Sequence, residues 1–144
     1  MKADTQTEAA VLAVLNKMAE CYAKRDMDGL LALCAPDPDN IMYGTGADEK
    51  RIGLKGIQAQ AERDWSQTET SNITYQWTSV SAANGVAWAA ADAAFEMTAG
   101  GQAMSLPARI TAVFEKRGDK WLIVQSHFSL PAANQGEGEA FPEQ

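Results

Sequence analysis

Two dipeptides constrain this chain more than any other feature. Asn84-Gly85 and Gly100-Gly101 each fall between long stretches rich in β-favouring residues. Both pairs accept the positive φ angles of a two-residue hairpin turn, which few other pairs tolerate. Each turn joins two antiparallel neighbours, so the second half of the chain is a meander. The spacing predicts strands over residues 73–81, 86–98, 103–115 and 121–130. Arg117-Gly118-Asp119 reads as a three-residue last loop.

The first half has a different period. Val11, Leu15, Met18 and Tyr22 recur at helical spacing, which predicts an amphipathic helix over residues 5–24. Thr5 with Glu8 makes a capping box for it. Asp26 or Asp28 caps a short second helix over 29–34, which the run from Pro36 to Asn40 ends. Ile41-Met42-Tyr43 reads as a short strand closed by Gly44-Thr45-Gly46, and Asp48-Glu49-Lys50-Arg51 as a solvated loop. A third helix covers 54–68, with Ile57, Ala61, Asp64 and Trp65 on one face.

Helices first and a meander after them imply an α+β fold. Three N-terminal helices would pack on a curved, mainly antiparallel sheet to make a cone with a pocket inside. Residues 1–131 read as one domain. Residues 132–144, with Gly136, Gly138 and three glutamates, read as an acidic flexible tail.

Composition sets the outer limits on function. At 144 residues the chain is one domain's worth, and 46% hydrophobic with 22% charged residues is an ordinary globular balance. Nineteen acidic against twelve basic residues give a net charge of −7, which speaks against nucleic acid and anionic membrane as partners. Cys21 and Cys34 are too few for a disulfide scaffold, and with one histidine they make no ordinary structural zinc site. No metal and no cofactor is expected. The polar, acidic start and the broken apolar stretch after it suit neither a signal peptide nor a membrane span, so a cytoplasmic protein is expected.

Several motifs now stand in order: Asp26-Met27-Asp28-Gly29-Leu30, Asp39-Asn40-Ile41-Met42-Tyr43-Gly44-Thr45-Gly46, Arg109-Ile110-Thr111, Lys120-Trp121-Leu122-Ile123-Val124 and His127-Phe128-Ser129. Over residues 5–131 the chain resembles the SnoaL-like group of the nuclear transport factor 2-like superfamily. The resemblance implies a cone-shaped α+β fold, usually homodimeric. It spans steroid isomerases, polyketide cyclases, the association domain of calcium/calmodulin-dependent kinase and proteins without known activity, so fold does not fix function. Steroid isomerase chemistry needs a carboxylate base and two donors to the enolate oxygen. Where that group carries its donor tyrosine this chain has Met18, and where it carries its base this chain has Met42 or Tyr43. That mechanism is not expected.

Register arithmetic on the three turns places Trp77 opposite Asp92, Asp92 opposite Arg109, and Arg109 opposite His127, as one row on one face. That face also carries Tyr75, Trp88, Thr111, Val113, Trp121 and Ile123. The other is rich in alanine, with Phe95, Ile110, Phe114, Val124 and Phe128. Two readings stand open. In one, the alanine-rich face lies under the helices and lines an apolar cavity through Met18, Tyr22, Met42, Trp65, Phe95, Ile110 and Phe128. That cavity offers almost no ionisable group, so it binds an unknown small apolar molecule without chemistry, and the aromatic face makes a homodimer. In the other, the aromatic face is the pocket of a cyclase- or isomerase-like enzyme. There His127 moves a proton beside a carbonyl, Arg109 stabilises the enolate and Asp92 orients Arg109. The face that the first helix covers separates the two.

Overall fold

The computed structural model describes residues 1–144. The elements, in chain order, are α1 (Thr5–Lys24), α2 (Met27–Ala32), β1 (Ile41–Tyr43), β2 (Lys50–Ile52), α3 (Gly53–Gln67), β3 (Thr70–Ala83), β4 (Val86–Ala99), β5 (Gln102–Arg117) and β6 (Lys120–Ser129). One six-stranded sheet has the order β2-β1-β6-β5-β4-β3. Every pairing is antiparallel except that of β1 with β6. The α+β class with helices on a curved, mostly antiparallel sheet is the one the element order implied.

Local signals explain most boundaries and correct a few. The α1 cap is Asp4 rather than Thr5: its carboxylate accepts the Thr7 amide at 2.7 Å. Asp26 caps α2 through the Gly29 amide at 2.9 Å, so that helix starts two residues earlier than expected. The charged run expected to be a solvated loop contains β2, which pairs with β1. The chain after Leu130 is mostly exposed, and its Asn134 bonds back to Glu143 in both directions, at 2.6 and 3.0 Å.

The long hairpins match the turn chemistry. Asn84 and Gly85 both have positive φ, 52° and 79°, and the turn pairs Ala83 with Val86. The second hairpin pairs Ala99 with Gln102, and Asp92 stands opposite Arg109. The last turn differs from the expectation. Gly118 alone takes positive φ, at 66°, so the loop closes in two residues and pairs Arg117 with Lys120. A β-bulge at Val124 then adds one residue to β6. His127 therefore faces Thr111, and Arg109 faces Ser129. A second bulge at Gln76 turns Tyr75 inward, where its hydroxyl donates to the Leu15 carbonyl at 2.8 Å. The two-residue last turn pairs Ile123 with Phe114 and so puts it, 2% exposed, in the core, and the bulge at Val124 then restores the expected face for the residues after it.

The first helix covers the alanine-rich face. Val11, Leu15, Met18 and Cys21 pack in one cluster with Ala87, Ala89, Ala112 and Phe114. Small side chains on the strands let the helix approach closely, and Phe114 and Ile123 fill the space between. The opposite face stays bare, with Trp77 54% and Trp88 37% exposed.

Candidate functional site

The three helices and the alanine-rich face do not meet over their whole length. They leave between them a cavity of about 300 Å³, lined along α3 from Ile57 to Gln67, at the lower end of the size range of ligand pockets. Its body is apolar: Met18, Leu30, Met42, Ile57, Phe95, Met97, Leu106 and Phe128 all line it.

Five of the residues expected to line an apolar cavity do so: Met18, Tyr22, Met42, Phe95 and Phe128. Trp65 does not. Its indole N–H donates to the Tyr22 carbonyl at 3.0 Å, which fixes the ring between the ends of α1 and α3. Ile110 does not either, because it is closed into a cluster with Ala91, Ala93 and Ala108 against which Phe95 and Phe128 pack.

Asp92, Arg109 and His127 lie on the outer face, exposed and outside the cavity lining. They do not form the expected row of contacts. No ion pair joins Asp92 to Arg109; the guanidinium donates to the Leu130 carbonyl at 3.4 Å. The His127 ring lies against Tyr43, with centroids 5.6 Å apart.

The cavity is less bland than its apolar wall suggested. One end is a polar cluster built from three segments. The Tyr22 hydroxyl donates to Asp64 Oδ2 at 2.8 Å. Gln60 Nε2 donates to Asp64 Oδ1 at 2.8 Å and to Glu49 Oε1 at 3.0 Å. Arg51 Nε donates to Gln60 Oε1 at 2.9 Å, which fixes the orientation of that amide. Glu49 is brought in by the Gly44–Gly46 turn, whose Gly46 amide donates to Glu49 Oε2 at 2.9 Å. Arg25 braces the far side: its guanidinium donates to the carbonyls of Trp65, Thr68 and Glu69 at 2.8, 2.6 and 2.9 Å, where α3 ends and its carbonyls lack partners.

Burial raises the Asp64 carboxyl above its ordinary range. The bonds from Tyr22 and Gln60 pull it back down, and the Glu49 charge adds to the rise. Burial, with the Asp64 charge next, holds the Tyr22 phenol protonated. Ser71, 5% exposed, brings its hydroxyl to the same cavity beside the Tyr22 phenol, where it partly offsets the effect of burial on that phenol without completing a hydrogen bond of normal geometry. Cys34 also lines the cavity, and burial pushes its thiol up to about 11.

Asp64, Gln60, Glu49 and Ser71 were not among the residues the sequence suggested for a site. One signal for Asp64 was present: it shares a helix face with Ile57 and Ala61, and an acid on an apolar face is unusual. Nothing local marks Glu49 or Ser71.

Solved structures share this architecture. A nuclear transport factor 2-like superfamily protein from Salmonella enterica serovar Typhimurium aligns with a TM-score of 0.84 at 19% identity, over 96% of this chain and all (100%) of that one. A Streptomyces avermitilis protein of the same family, provisionally described as a dehydratase, aligns at 0.81 with 15% identity, over 90% of this chain and 100% of that one. A Xanthomonas campestris protein, provisionally described as a calcium/calmodulin dependent protein kinase II association domain, aligns at 0.75 with 25% identity, over 85% of this chain and 86% of that one. No functionally curated protein matches the sequence. The sequence profile of the SnoaL-like domain matches residues 11–133, and the chain belongs to that family.

Proposed function

We propose that this SnoaL-like protein binds a small, largely apolar molecule in the cavity under its helices and works as a homodimer. The observation that carries the reading is the side of the sheet α1 covers. The alanine-rich face with its cavity is covered, and the aromatic face is left bare. A partly open, largely apolar cavity with a few polar groups at one end is the usual form of a small-molecule site. A bare face with Trp77 and Trp88 exposed supports self-association, since such a patch is costly to leave in water.

The test uses a neutral apolar dye, N-phenyl-1-naphthylamine. Its fluorescence should rise on binding, and Leu106→Trp, which fills the cavity rim, should abolish the rise. No rise with the wild-type protein would end the reading. Sedimentation should give a dimer, and Trp88→Arg a folded monomer with dye binding retained. A wild-type monomer at micromolar concentration would remove the dimer alone.

Asp64 supports a second reading, an enzyme that moves a proton beside a carbonyl. A carboxyl raised by burial and held by a phenol in an apolar cavity is suited to general acid–base work. The description of the Streptomyces avermitilis relative as a dehydratase is in keeping with it. Deuterium exchange into 2-tetralone beside its carbonyl tests this. Exchange faster than buffer and lost in Asp64→Asn would favour the enzyme; exchange at the buffer rate would exclude it for ketones of that kind.

A further inference from the structure

We propose that the cavity selects an apolar molecule with an amine head, which it seats against Asp64, Tyr22 and Ser71, and that it discriminates against carboxylates. The proposal rests on the binding reading above and adds the class of ligand.

The first argument is charge. Glu49, Asp64 and Glu96 line the cavity, and no lysine, arginine or histidine does. Two arginines stand behind the polar cluster, outside the cavity lining. Arg51 donates to Gln60 Oε1, and Arg63 lies 3.0 Å from Asp48 and 4.0 Å from Glu49. An anionic head would meet carboxylates and no cation in the cavity lining itself, with Arg51 and Arg63 reached only behind Gln60 and Glu49, which is costly in a partly dehydrated end.

The second argument is the inventory of donors and acceptors. The Tyr22 proton is committed to Asp64, and both Gln60 N–H groups are committed to Asp64 and Glu49. Each carboxylate oxygen has room for a further bond, and so does the phenol oxygen. The cluster therefore presents acceptors. A ligand head that donates fits it, and one that only accepts does not.

The third argument is the orphan. The Ser71 hydroxyl is buried in the cavity wall beside the Tyr22 phenol, but it completes no hydrogen bond of normal geometry there. A buried hydroxyl without a partner is uncommon in a native protein, and a ligand group is one way to satisfy it. An ammonium or amine in reach of Ser71 and Asp64 would give the hydroxyl a donor and the carboxylate a charge.

A matched indole series tests this by displacing N-phenyl-1-naphthylamine at pH 7.5. Tryptamine carries the amine, tryptophol a hydroxyl and indole-3-acetate a carboxylate on nearly the same body. Tryptamine should displace the dye at about tenfold lower concentration than tryptophol, with indole-3-acetate weakest, because a charge-assisted bond is roughly twice as strong as a neutral one. Asp64→Asn should erase the advantage of tryptamine over tryptophol, and Asp64→Glu should retain part of it. Ser71→Ala should weaken both. Equal or tighter binding of indole-3-acetate overturns the proposal, as does an amine advantage that survives Asp64→Asn in a protein that still binds the dye. Should Asp64→Asn fail to fold, the order of the three ligands on wild-type protein decides. Dye binding that none of the three displaces refutes the amine head and leaves the cavity reading intact. A wild-type protein that binds no dye refutes both.

Discussion

Tyr22→Phe is the sharpest probe of the polar end, because it removes one oxygen and keeps the ring. The lost bond is 2.8 Å long and ends on a carboxylate. Hydrogen bonds to charged groups contribute about 1.5–3 kcal/mol, and here both partners keep some contact with water, so about 1–2 kcal/mol is expected at neutral pH. The cost should depend on pH, and the sign follows from the groups that face Asp64: Tyr22 from α1, Glu49 from the loop before β2, and Gln60 and Arg63 from its own helix. Burial raises the folded-state pKa above the ordinary 3.8. Asp64 therefore contributes stability that is fully present below 3.8 and is lost as pH rises through the folded value. The Tyr22 bond lowers that value, so Tyr22→Phe raises it further and extends the loss to higher pH. The mutational cost should then grow with pH, from about 0.5–1 kcal/mol when Asp64 is protonated to about 1–2 when it is ionised. Urea denaturation of wild type, Tyr22→Phe, Asp64→Asn and the double variant at several pH values measures it. A cost that does not change with pH, or that is the same in the Asp64→Asn background, would refute the coupling.

Asn40, 1% exposed, donates from Nδ2 to the Ala35 carbonyl at 3.0 Å and the Ile123 carbonyl at 2.8 Å. Asn40→Ala should cost about 2–4 kcal/mol in urea denaturation, and Asn40→Asp more, because a carboxylate would then face two carbonyls; a loss under 1 kcal/mol for either would contradict this. Cys34, with its thiol at about 11 against the ordinary 9.0, should react with iodoacetamide at pH 8 far more slowly in the folded protein. Mass spectrometry should show a rate about a hundredfold below that of the unfolded chain, and a difference under tenfold would contradict the burial.

The parts that were legible share one property: a short local signal decides them. Asn84-Gly85 and Gly100-Gly101 fix two turns, and those turns place Trp77, Asp92 and Arg109 in register. The last turn was misread because Gly118-Asp119 and Arg117-Gly118-Asp119 look alike in sequence; only the φ of Gly118 separates them. Bulges leave no comparable mark. The one at Gln76 inverted Tyr75, whereas the one at Val124 offset the turn error and kept His127 on its expected face, opposite a different residue. Register also says only which side chains are neighbours. Arg109 stands across from Asp92, yet at an exposed position a long side chain gains little from an ion pair and reaches the Leu130 carbonyl instead.

The apolar wall of the cavity was readable for the same reason as the helices: Met18 and Tyr22 repeat at the period of α1, and Phe95 and Phe128 alternate on strands. Its polar end has no period. Tyr22, Glu49, Asp64 and Ser71 come from four separate stretches of chain, and their meeting depends on how α1, α3 and the Gly44–Gly46 turn pack. The cavity therefore has two different origins. Its shape follows from the alternation of small and large apolar residues under a helix. Its chemistry follows from Arg25, Trp65 and Gln60, which lace the helix ends together and hold one carboxyl, Asp64, where water is scarce. Because the wall does not depend on those bonds, polar-end variants should alter which ligand head is accepted before they alter whether an apolar body binds.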